Sequence, residues 1–244
     1  MKFQIISLIG KRKRLLLALF LSIITFLFIH LFYMYRTCFF YTGPLAGKVI
    51  VLDPGHGGID SGCHVDDLME KNMNLMIAKE LKKELSKLGA KVILTRNKDM
   101  SLDHMNHYSS SRQRRDLYAR VSIIEKYQPD IFLSIHINSN EHIPNMTGTF
   151  VYYHQWVHNA DIMASHLQQR FDTLMVKYGF QKHKPLHGDF FILNNTTYTG
   201  VLVELGFISN PEERKLLINP LYQDELVMHM VEGLLDYFSH IDTP

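Results

Sequence analysis

The stretch Val49-Ile50-Val51-Leu52-Asp53-Pro54-Gly55-His56-Gly57-Gly58 constrains this chain more than any other. Four consecutive apolar residues, three of them β-branched, fit a short buried strand. The strand must stop at Asp53-Pro54-Gly55, because proline and glycine cannot continue a ladder. His56 then stands between glycines that let the backbone come close to whatever the imidazole holds. In α/β proteins ligands collect just past the carboxyl ends of strands, so His56 lies where chemistry is usually done. The plainer alternative is a turn histidine without a task, and two later strand ends decide between them.

From residue 47 onward strand and helix patterns alternate. This predicts an α/β domain with a mixed, largely parallel central sheet flanked by helices. Residues 70–88 read as an amphipathic helix with Met73, Met76, Ile77, Leu81, Leu85 and Leu88 at helical spacing and Gly89 as its stop. Its methionines are core packing. Residues 91–96 are a strand, and the polar stretch 97–111, with His104 and His107, is a long loop of the kind that often carries function. Residues 112–127 form a helix whose opening arginines, Arg112, Arg114 and Arg115, are read as a solvated face in preference to an anion site. A buried strand at 131–135 leads into His136. Further strands are expected at 149–153, 190–193 and 201–203, the last ending at Glu204, with helices at 159–178 and 221–238. Asn210-Pro211-Glu212-Glu213 starts another helix, with proline first and acids in the first turn.

Ahead of this domain, Lys11-Arg12-Lys13-Arg14 precedes 21 residues, 15–35, without a formal charge. That length crosses a bilayer core of about 30 Å as a helix. The cations predict a cytoplasmic N-terminus and an extracytoplasmic remainder in the cell envelope. A cleaved signal would want a shorter apolar core and small residues near the cut, where this chain has bulky aromatics. The expected organisation is a basic N-terminus (1–14), a transmembrane anchor (15–35), a linker (36–46) and a catalytic domain (47–240).

Charge excludes one class of partner. Six of the 26 basic residues and none of the 24 acidic ones fall in 1–43, so the remainder carries 20 against 24, a net of −4. A nucleic-acid binder would show a basic face on its folded part. The two cysteines, Cys38 and Cys63, make neither a zinc knuckle nor a disulfide framework, and a bridge between them is disfavoured.

His56, His136 and Glu204 follow strands, and Glu70 opens a helix. Parallel strands bring such ends to one edge of a sheet. Two imidazoles and a carboxylate are a common ligand set for catalytic zinc, and a second carboxylate can serve as general base. HExxH spacing is absent, which excludes the helix-borne zinc proteases. Each residue also admits a plainer role: His136 as a satisfied core histidine, Glu204 as a buried carboxylate paired with arginine, Glu70 as a first-turn acid. Cys63, His64, His154 and His187 are weaker candidates in or beside loops.

Five ordered segments resemble the motifs of the zinc-dependent N-acetylmuramoyl-L-alanine amidases: residues 51–62, Glu70-Lys71-Asn72-Met73-Asn74-Leu75, Leu94-Thr95-Arg96, Ser134-Ile135-His136-Ile137-Asn138 and residues 202–210. The resemblance spans residues 47–240. It implies zinc held by His56, Glu70 and His136, Glu204 as the catalytic carboxylate, and hydrolysis of the amide between N-acetylmuramic acid and L-alanine in peptidoglycan. The segment 99–120 and the anchor resemble the subtype that matures the spore cortex, where stem-peptide removal prepares muramic lactam formation, which implies a place in the forespore envelope. Cys63 replaces the family's usual alanine, and Glu125 stands where asparagine is common; the cysteine raises the question of redox sensitivity. The partners implied are peptidoglycan and a membrane, with room left for an activator protein or a dimer. Competing readings are a catalytically silent wall-binding module on a membrane tether, a zinc peptidase or deacetylase with the same ligands, and an interaction hub.

Overall fold

A computed structural model describes Lys13, residues 15–32, Met34 and residues 43–243. Most of the basic N-terminus, the aromatic residues 39–41, Cys38 and most of the expected linker lie outside the described residues. The chain divides into two units, Met1–Thr42 and Gly43–Pro244. In the first, α1 (Leu15–Phe32) is long and apolar enough to cross a membrane and exposes its apolar side chains along its length.

In the second unit β1 (Val49–Pro54) is followed by a small hairpin of β2 (His64–Val65) and β3 (Leu68–Met69), then α2 (Glu70–Lys87) and β4 (Lys91–Leu94). The segment 97–111 is irregular except for a 3-10 turn at Asp103–Met105. Next come α3 (Arg112–Tyr127), β5 (Ile131–Asn138), β6 (Phe150–Tyr153), α4 (Ala160–Lys177) and β7 (Leu186–His187). The chain closes with α5 (Phe191–Asn194), β8 (Gly200–Phe207), α6 (Pro211–Leu217) and α7 (Pro220–Asp242). Local chemistry explains the helix starts. Ser111 Oγ caps α3 by accepting from Arg114 N, and the Asn210 side chain accepts from Glu212 N and Glu213 N ahead of Pro211.

The six-stranded sheet runs β4-β1-β5-β8-β6-β7. β4, β1, β5 and β8 are parallel; β6 pairs antiparallel with β8 and parallel with β7. The expected mixed, largely parallel sheet is therefore present. Two-residue periodicity sorts its side chains into two faces. Ile50, Leu52, Leu133, Ile135, Val201 and Val203 enter the larger core with residues of α2, α4 and α7. Val51, Phe132 and Leu202 enter a smaller cluster with Val121 and Ile124 of α3 and Ile192 and Leu193 around α5. The sheet is thus a middle layer between helices.

One expected element differs. Residues 190–193 form the start of a helical turn, not a strand, because the Phe190 carbonyl accepts from both Leu193 N and Asn194 N at 3.0 Å. A run of four apolar residues suits a buried strand and a buried turn equally, and the ladder beside β6 is already taken by Leu186–His187. β5 and β8 also run beyond the expected ends, so His136 and Glu204 lie inside strands, just before a register irregularity between His136 and Asn138.

Candidate active site

The smaller face of the sheet ends in polar residues. Counting in twos from Val51, Phe132 and Leu202 leads to Asp53 on β1, Ser134 and His136 on β5, and Glu204 on β8. All of these line one cavity of about 310 Å³ roofed by residues of α3 and α5.

Glu70 is the hub. As the first residue of α2 it sits at the positive end of the helix dipole, which favours its charge. Its Oε1 lies 2.9 Å from His136 Nδ1 and 3.2 Å from His56 Nε2. The same oxygen accepts from Ile137 N at 3.1 Å and from Asn74 Nδ2 at 3.1 Å, while Oε2 accepts from Cys63 N at 2.9 Å. Burial pushes this carboxyl up, but the two imidazoles outweigh it, and its pKa lies well below the ordinary carboxylate range. Burial likewise works against a charged His56. Glu70 and Asp60 outweigh it and raise the imidazole to about 9. Asp60 Oδ2 lies 3.0 Å from His56 Nδ1 and pairs with it on the side away from Glu70.

The loop carrying His56 is held by two buried arginines. Arg96 donates to the carbonyls of Pro54 (2.9 Å), Gly55 (2.8 Å) and Lys71 (2.8 Å). Arg120 donates to those of Pro54 (2.8 Å) and His56 (2.7 Å) and pairs with Asp53 and Asp116 at 2.6 Å each. Asp53 also accepts from Thr95 and Ser134, and these partners outweigh burial to keep it ionised. Three successive carbonyls are thereby gripped while His56 adopts φ +60°, a left-handed conformation that a non-glycine residue holds only when its surroundings enforce it.

The donor set fits a divalent cation. One atom each from His56, Glu70 and His136 converge within 4.8 Å of one another, so the cluster can coordinate a metal ion. Space around it is made by glycine: a Cβ on Gly55 would overlap the His136 ring, and one on Gly62 would lie 2.8 Å from both the Glu70 carboxyl carbon and His56. Beside the cluster, the buried Oε2 of Glu204 has no hydrogen-bond partner, and burial raises that carboxyl to about 7. A buried carboxyl whose pKa is raised toward neutrality is suited to moving protons.

The four residues singled out in the sequence are thus brought together. The weaker candidates are not part of the cluster. His64 sits on the exposed side of the small hairpin, and His187 packs its ring on Tyr153. Cys63 donates its thiol to the Ile137 carbonyl at 3.1 Å; burial and Glu70 push its pKa far up, so it is a poor nucleophile. Sequence reasoning missed Asp60, Asn74 and Arg120. Only Asn74 left a helical signal, four residues after Glu70, and Arg120 becomes legible once Asp116 is known to share its helix face.

Known proteins resemble this chain in sequence and in fold. The profile of a family described as N-acetylmuramoyl-L-alanine amidase matches residues 50–236. The chain is 35% identical over 205 residues to the germination-specific N-acetylmuramoyl-L-alanine amidase of Bacillus subtilis, covering 82% of this chain and 84% of that one. Among solved structures, the CwlD amidase of Clostridioides difficile, captured with the GerS lipoprotein, superposes with a TM-score of 0.71 at 31% identity, over 80% of this chain and all of that one. The catalytic domain of CwlV from Bacillus (Paenibacillus) polymyxa gives 0.66 at 27% identity, over 79% and 98%.

Proposed function

The chain belongs to the N-acetylmuramoyl-L-alanine amidase family and acts on peptidoglycan, and from that premise we propose that His56, Glu70 and His136 hold a zinc ion, with Glu204 as the general base and acid. The observation that carries this reading is the convergence of three ligand atoms beside a buried carboxylate oxygen without a partner. When bound, zinc supplies a Lewis acid that polarises the scissile carbonyl and brings an attacking water's pKa toward about 7. Glu204 accepts the proton of that water and returns it to the departing nitrogen of L-alanine, so the amide C–N bond breaks as a carboxyl and an amine form. Asn74, Ile137 N and Cys63 N orient the Glu70 carboxylate. Arg96 and Arg120 keep the His56 loop in place.

The biological setting we infer is maturation of spore cortex, supported by likeness to the germination-specific amidase. We read α1 as the anchor that keeps the catalytic unit on the extracytoplasmic side, supported by its length and apolar composition. Digestion of purified peptidoglycan, followed by mass spectrometry of the products, tests the chemistry. Free stem peptides beginning at L-alanine and intact peptide-free glycan are expected, and a chelator should abolish both. Cleavage inside the peptide, or products that persist in chelator, would remove the zinc-amidase assignment.

A further inference from the structure

The first turn of α3 breaks a rule of helix electrostatics. The positive end of the dipole normally attracts acids; here the first turn holds no acid and carries Arg112, Arg114 and Arg115. Arg115 is absorbed locally, by the carbonyls of Ser109 and Ser110 at 2.9 Å and by Asp103 at 3.5 Å. Arg114 is not. Among the described residues it makes no ion pair, and its exposed guanidinium lies over the Phe191 ring, 4.8 Å from the centroid. Phe191 lines the cavity that contains Glu204 and His136, as does Gln113, the residue before Arg114. Phe191 is itself fixed, edge to face with Tyr118 at 5.0 Å. Three observations therefore coincide at the rim: a cation placed against the dipole, the lack of an anionic partner, and a rigid aromatic platform that orients the guanidinium.

Resting on the amidase reading above, we propose that Arg114, seated on Phe191, is a specificity residue that pairs with the free α-carboxylate of the acidic residue following L-alanine in the stem peptide. Substrate chemistry leaves few other anions. The carboxyl of muramic acid is consumed in the scissile amide, so the uncharged glycan offers nothing for a guanidinium to pair with, while an acidic residue following L-alanine does. The platform holds the planar fork ready for bidentate pairing, which lowers the entropic cost of binding.

The test uses the full-length chain in detergent micelles and two soluble N-acetylmuramoyl-L-alanyl dipeptides. The residue after L-alanine is acidic in both, with its side-chain carboxyl amidated, and they differ only in whether its α-carboxyl is free or amidated. Kd is measured by calorimetry with zinc-loaded Glu204→Gln protein, with and without Arg114→Gln, and metal content is checked in each. We expect the acid form to bind about ten-fold tighter than the amide. Arg114→Gln should erase that preference by weakening the acid arm alone, and Arg114→Lys should keep part of it. Equal affinity for both forms overturns the proposal, as does a preference that survives Arg114→Gln or an equal loss on both ligands. Turnover of the acid form by the chain with Glu204 intact is read separately, and its absence would count against the amidase reading and not against Arg114.

Discussion

His136 and Glu204 are register partners, Cα opposite Cα, on the neighbouring parallel strands β5 and β8. Their side chains leave the sheet on the same face, His136 as a member of the metal-competent cluster and Glu204 beside it, with a buried Oε2 that has no hydrogen-bond partner. This adjacency separates two jobs that glutamate can do at a metal centre, and the separation is measurable.

Glu204→Gln should keep its metal and its fold while turnover falls by about 10²–10⁴-fold, the usual contribution of a positioned acid–base group. Glu70→Gln should instead lose metal, because an amide oxygen is a poorer ligand than a carboxylate. Metal analysis and turnover on both variants decide. A metal-free Glu204→Gln beside a loaded Glu70→Gln would mean that the two roles are exchanged.

Metal uptake should depend steeply on pH. In the metal-free protein Glu70 and Asp60 hold His56 at about 9. Zinc takes the neutral imidazole, so a proton must leave, and affinity should fall about ten-fold for each pH unit below that value. Competition with a chelator of known affinity at several pH values measures the slope. Asp60→Asn removes one of the two stabilising carboxylates and should move the dependence to lower pH. A flat profile in the parent protein would show that His56 is already neutral and available.

Glu213 is a structural counterpart of the site glutamates. Buried on α6, it accepts from Gly148 N and Phe207 N at 2.8 Å each, tying the approach to β6 to the end of β8. Glu213→Ala leaves two buried N–H groups unpaired, at about 1–3 kcal/mol each. For a unit of this size the melting temperature should drop by roughly 5–15 °C. An unchanged melting curve for the variant would mean that neither bond matters to stability.

The full chain should partition with membranes, and the fragment beginning at Gly43 should stay in the soluble fraction. The motive is the uncharged run 15–35 behind four cations, and the division of the chain at Thr42 and Gly43. Uncleaved full-length protein recovered wholly in the soluble fraction would defeat the anchor.

Much of the fold was legible because its signals are local. Val49–Leu52 reads as a buried strand, Met73 to Leu85 as one face of a helix, and Asn210-Pro211 as a helix start, each from residues within a few positions of one another. That His56, Glu70, His136 and Glu204 come together was legible for the same reason, as chemistry-bearing side chains beside expected strand ends or at a helix start. Where a local signal was ambiguous, tertiary pairing decided: residues 190–193 became a turn once residues 186–187 had taken the place beside β6.

What only the tertiary structure decided is how those residues are held and what surrounds them. Arg120 and Asp53 are 67 positions apart and meet at 2.6 Å beneath the His56 loop, an ion pair that no window along the chain reveals. Asp60 and Asn74 became part of the site through folding around Glu70 and His56. Arg114 looked like part of a solvated helix face until α5 brought Phe191 beneath it at the cavity rim. The physical reason is common to all three. Periodicity records which side of its own element a residue faces, whereas partnership in a low-dielectric interior depends on which elements the sheet order places side by side.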